Sequence, residues 1–136
     1  MMGCDIHIHA EIKIAGRWEH YAQPKIDRNY RAFEKLAGVR GEKTNAMFPV
    51  RGMPWEASAT TRFDCAHYGT DGHTHSWISA DEIARFSGWW KSHVDSKPWP
   101  EWDCWLFGNN YSDFVNYPQN RIEGLEDIRF IFWFDN

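Results

Sequence analysis

A chain of 136 residues, 43% hydrophobic and 25% charged, has the size and composition of one soluble globular domain spanning residues 1–136. Its net charge of −4 argues against general nucleic-acid binding, and its longest strongly apolar run, Phe130 to Phe134, is far too short to span a bilayer. No Arg- or Lys-led apolar segment opens the chain, and Cys4, Cys65 and Cys104 form no CxxC pair, so a cytoplasmic location with reduced thiols is expected.

The stretch CDIHIHAEIKI alternates Cys4, Ile6, Ile8, Ala10, Ile12 and Ile14 with Asp5, His7, His9, Glu11 and Lys13. A period of two makes this a strand with one apolar face and one face of acids and imidazoles. Gly16 marks a turn, and the chain returns through Trp18 to Tyr21 as a hairpin that Pro24 ends. Asp27 is placed to cap a helix running from Arg28 to about Ala37, stopped by Gly38. Residues 38–76 carry Arg40, Arg51 and Arg62, show no sustained period, and read as a long ordered loop. Ser79 with Glu82 forms a capping box for a helix from Ala80 to about Ser92 that buries Ile83, Phe86 and Trp90. An aromatic loop follows, with a helical turn expected around Ser112 to Asn116. The final DIRFIFWFD is apolar on both faces, hence a central strand. The layout predicts an α+β fold: a mainly antiparallel sheet, two helices packed on one side, and long ordered loops.

Residues two apart on a strand point the same way, so His7 and His9, with Asp5 beside them, can converge on one cation about 2 Å from each nitrogen. GHTHS repeats the spacing with His73 and His75, which would complete the shell of a zinc, manganese or iron centre. Water activated there would hydrolyse a phosphate ester, with Asp5 and His7 as the catalytic pair. The same face is compatible with plain hydration, since antiparallel strands often keep one wet face. It also fits a metal-free pocket in which Asp and His form hydrogen bonds. A second constellation is cationic. Arg28 sits at a helix start, where free N–H groups already favour anions, and Arg51 and Arg62 lie on the long loop. Guanidinium forks suit phosphate, and Trp18, Trp55 and Trp77 can flank a base, which together outline a pocket for a small nucleotide-like anion.

The blocks MGCDIHIHAE, RNYRAFEKLAGVR, PVRGMP and RFIFWFDN resemble, in order and over most of the chain, a group of small uncharacterised bacteriophage and bacterial proteins that open with MGCDIH. That group brings no established activity. The resemblance implies a phage or prophage setting inside a host bacterial cell. It points to Asp5, His7, Arg28, Asn29, Tyr30, Arg51 and Gly52 as the residues matching its motif blocks. Small phage proteins of this size frequently counter host defence. Three readings stay open: a metal-dependent phosphohydrolase of a small phosphorylated ligand, a metal-free protein sequestering a nucleotide second messenger, and a protein-binding inhibitor using the acidic C-terminal half through Asp95, Glu101 and Asp103. The Trp-rich loops and central last strand are compatible with a homodimer.

Overall fold

The computed structural model describes residues 3–93 and 123–136. Strand β1 (Asp5–Ile14) turns through Ala15 and Gly16, both at positive φ, into β2 (Arg17–Ala22). A two-residue turn of this hand matches the twist of its flanking strands. Helix α1 (Tyr30–Ala37), α2 (Ala59–Tyr68), β3 (Gly72–Ser79), α3 (Ala80–His93) and β4 (Leu125–Asp135) follow. The strands form one antiparallel sheet in the order β2-β1-β4-β3. This is the α+β fold that the layout predicts, with a third helix added. As its unbroken apolar run requires, β4 lies inside the sheet, buried continuously from Ile128 to Phe134.

Helices α1 and α3 cover one face of the sheet. Ile8, Ala10 and Ile12 of β1 and Phe130, Phe132 and Phe134 of β4 pack there with Phe33, Leu36, Ile83, Phe86 and Trp90 in one core. The capping box of α3 is made: Ser79 N donates to Glu82 Oε1 (3.0 Å) and Glu82 N to Ser79 Oγ (3.3 Å). Helix α1 starts later than expected, because Asn29 rather than Asp27 caps it, its Oδ1 accepting from Ala32 N at 3.0 Å. Gly38 ends α1 at φ 75°, and a Cβ there would lie 2.7 Å from Lys43 Cα, so the chain can double back tightly only at glycine.

The expected loop over residues 38–76 contains α2 and the first half of β3. Helix α2 has no apolar stripe. Among the residues it turns inward, Thr61, Asp64 and Tyr68 at i, i+3 and i+7 carry polar groups, and they meet Glu11, His9 and His7 of β1. A pattern search for hydrophobic period cannot find such a helix. The helical turn expected around Ser112 to Asn116, and Asp95, Glu101 and Asp103, lie outside the described residues. Among the described residues no helix is long and apolar enough to cross a membrane.

Candidate functional site

The polar face of β1 is sealed at His9 and Glu11 and partly open at Asp5 and His7. Helix α2 lies on it and joins it residue by residue. Glu11 is fully buried and uses both oxygens: Oε1 accepts from Arg129 Nε and Nη2 (3.1 and 2.7 Å), Oε2 from Ser58 N and Thr61 Oγ1 (2.9 and 2.7 Å). Arg129 also donates Nη1 to Glu56 at 2.7 Å and lies 4.0 Å above the Trp18 ring. Burial pushes the Glu11 carboxyl up, but the donors from Ser58, Thr61 and Arg129 outweigh it and hold it below the usual range.

His9, also fully buried, stacks on Trp133 (5.3 Å) and links two partners. Nε2 lies 2.6 Å from Asp64 Oδ2 and Nδ1 lies 2.9 Å from His20 Nε2. A carboxylate only accepts, so Nε2 of His9 carries a proton, and between neutral rings Nδ1 receives the N–H of His20. Burial, then the neighbouring His9, pushes the His20 imidazole below its ordinary value. His7 donates from Nε2 to Asp135 Oδ1 (3.0 Å) and packs against Tyr68 (4.1 Å). Asp5, His7, Asp64 and Tyr68 line a cavity of about 340 Å³. Two carboxylates, Asp5 and Asp64, and one lysine, Lys25, are in its lining, and burial, then Asp64, Asp135 and Asp5, raises the Tyr68 hydroxyl. Asp5 is held down chiefly by the Arg28 guanidinium, bonded at 2.6 and 3.2 Å.

The second His-x-His pair is split. Register runs His73↔Phe134 and Ser76↔Phe132, so Thr74 and His75 together oppose Trp133. This β-bulge, with Thr74 at φ 56°, inserts one residue and reverses the alternation. His73 therefore stacks on Phe134 (6.2 Å), on the α1/α3 face, while His75 stacks on Trp133 (6.1 Å), on the α2 face. His73 is thus separated from His7, His9 and His75, whose rings all pack around Trp133, and among the described residues no three His, Cys, Asp or Glu side chains are grouped to hold a metal ion.

The cationic constellation is dispersed as well. Arg28 is paired with Asp5. Arg51 forks onto Glu82 (2.7 and 2.7 Å), donates to Trp77 O, and covers the Trp77 ring at 4.6 Å. Arg62 donates to the carbonyl of Trp55. Asn29 is occupied as a helix cap, and the Tyr30 hydroxyl accepts from Cys4 N at 3.0 Å. Trp18 and Trp55 do come together, lining with Lys13 and Arg17 an open cavity of about 560 Å³ on the hairpin.

A larger cavity, about 780 Å³, lies at the α1/α3 end of the sheet, outside the residues that the sequence spacing singles out, apart from His73. The tight return at Gly38 brings Arg40 and Lys43 to one wall. The segment that closes it is zipped to the edge strand β3: Arg51 N donates to Ser76 Oγ and Gly52 N to His75 O, both at 2.9 Å. Val39, Met47, Phe48 and Val50 supply apolar walls, and His73, Thr74 and Asn136 form a polar end. The lining includes two cations and no carboxylate side chain. Of the three non-glycine residues at positive φ among the described residues, two, Arg40 (62°) and Thr74 (56°), are here. A β-branched residue in this region is an outlier, and such strain concentrates at functional sites.

These burials set a pH dependence. Burial lowers the imidazoles of His20 and His75, so the unfolded chain takes up protons first. The stability they contribute is complete above about pH 6.5 and is lost as pH falls below it. The urea midpoint is expected to drop between neutral pH and about pH 5.5, with a shallower slope in a His20→Asn/His75→Asn variant. Parallel slopes in the two proteins would contradict this assignment.

Comparison with known proteins returns no match: no family model fits the chain, and no curated protein or solved structure is similar to it.

Proposed function

We infer that the protein binds a small phosphorylated, nucleotide-like ligand in the cavity bounded by Arg40, Lys43, Thr74 and Asn136. One observation carries this reading: in a chain with 19 acidic and 15 basic side chains, this cavity is lined by Arg40 and Lys43 and by no acidic side chain. Its volume falls in the range of small-molecule sites, and an apolar wall facing a cationic one suits a ligand with an uncharged body and an anionic group. The cavity beside Asp5 and His7 carries two carboxylates to one lysine and is less suited to an anion. The phage setting implied by the opening sequence makes mononucleotides and cyclic dinucleotides the first compounds to test.

Calorimetry with such a panel is expected to find a ligand whose affinity falls at least tenfold in Lys43→Glu, since a hydrogen bond to a charged group contributes about 1.5–3 kcal/mol. Arg28→Ala, at an exposed pair outside this cavity, should bind like wild type. An affinity unchanged by Lys43→Glu, or no binding across the panel, would defeat the reading.

A further inference from the structure

Thr74, His73 and Asn136 all line the inferred binding cavity, and they are joined in series. Thr74 Oγ1 lies 2.9 Å from His73 Nδ1, and His73 Nε2 lies 3.2 Å from Asn136 Oδ1. The direction of each bond follows from the donors available. An amide oxygen only accepts, so Nε2 of His73 carries the proton, and the bare Nδ1 accepts from the Thr74 hydroxyl. A hydroxyl donating to an imidazole that a third group orients is the arrangement of an activated nucleophile. Nothing in the strand alternation would produce it. The bulge lifts Thr74 out of register and holds it at φ 56°, a conformation a β-branched residue rarely adopts.

We propose that Thr74 is a nucleophile for phosphoryl transfer, with His73 as its general base and Asn136 as the residue that positions His73. The proposal rests on the phosphorylated-ligand reading of the same cavity. For a phosphodiester, Thr74 Oγ1 forms a bond to phosphorus, the bond from phosphorus to the leaving oxygen breaks, and the hydroxyl proton passes to His73 Nδ1 and on to the departing oxygen. Water then attacks the Thr74-bound phosphorus, yields its proton to Nδ1, and Oγ1 departs and regains it. The net change is hydrolysis of one phosphate ester bond, with no oxidant or reductant. Lys43, in the same lining, stabilises the charge on the non-bridging oxygens, while the Arg40 guanidinium lies over the Tyr30 ring at 5.0 Å.

The test uses the p-nitrophenyl ester of thymidine monophosphate as substrate and AMP as a binding probe. Wild type is expected to release a burst of p-nitrophenolate matched by a thymidylyl mass adduct that maps to Thr74. Thr74→Ser should retain both. Thr74→Gly, which relieves the backbone strain and so keeps the fold, should show neither, with a circular dichroism spectrum like that of wild type. His73→Gln should slow release by about a hundredfold or more. Asn136→Ala should lower kcat with KM little changed. If wild type binds AMP but forms no adduct and releases no p-nitrophenolate, the nucleophile is refuted while the binding reading stands. Release that persists in Thr74→Gly refutes it too. Absence of wild-type binding to AMP and to the rest of the nucleotide panel, with no adduct formed, refutes both.

Discussion

Arg129→Ala is expected to cost about 3–5 kcal/mol of folding stability, because it strands a buried carboxylate. Glu11 is fully buried and Arg129 nearly so, and the pair holds together β1, β4 and, through Ser58 and Thr61, the start of α2. Without the guanidinium, Glu11 Oε1 loses both of its donors and Glu56 loses its partner. The loss does not measure the worth of the pair itself, since burying two charges is costly before they meet. A Glu11→Leu/Arg129→Met variant should therefore be much closer to wild type than Arg129→Ala. Urea denaturation of the three proteins decides it. A single variant within about 0.5 kcal/mol of wild type would show that water replaces the guanidinium and that the face is not sealed.

Trp133→Ala should be comparably damaging, at about 3–5 kcal/mol, by opening a cavity at the centre of the sheet. Trp133 is fully buried, and the rings of His7, His9, Tyr68 and His75 lie between 5.3 and 6.1 Å from it. It is the apolar floor on which this otherwise polar layer rests. Its Nε1 has no hydrogen-bond partner among the described residues, so Trp133→Phe orphans no group there, and should cost less than about 1.5 kcal/mol. Hydrogen exchange should show the α2 amides losing protection in the alanine variant before those of α1. Equal costs for alanine and phenylalanine would mean that the indole nitrogen has a partner after all.

Much of the fold was legible because its signals are local. The alternation over residues 4–14, the Ser79/Glu82 box and the unbroken apolar run before Asp135 each specify an element without knowledge of its neighbours. Helix α2 was not legible, because its docking face is built from Thr61, Asp64 and Tyr68 and is stabilised by the polar strand it meets. The sites divide the same way. The sequence draws attention to Asp5, His7 and His9, but cannot show that Asp135 and Asp64 claim the two imidazoles. It draws attention to arginines, but the carbonyls and carboxylates that bind Arg28, Arg51 and Arg62 are distant in the chain or unmarked. His73 and His75 share a spacing that a single bulge residue undoes. Arg40, Lys43, Thr74 and Asn136 meet only through tertiary structure, and the nearest local clue is Gly38, whose positive φ turns the chain back.

The most direct test of the account is where a nucleotide lands. Isotope-labelled protein titrated with AMP should show amide shift changes in residues 38–50, around Thr74 and at Asn136, with β1 from Asp5 to His9 and helix α2 unmoved. Changes concentrated on Asp5, His7 and α2 would contradict it, and would return the site to the cavity between β1 and α2.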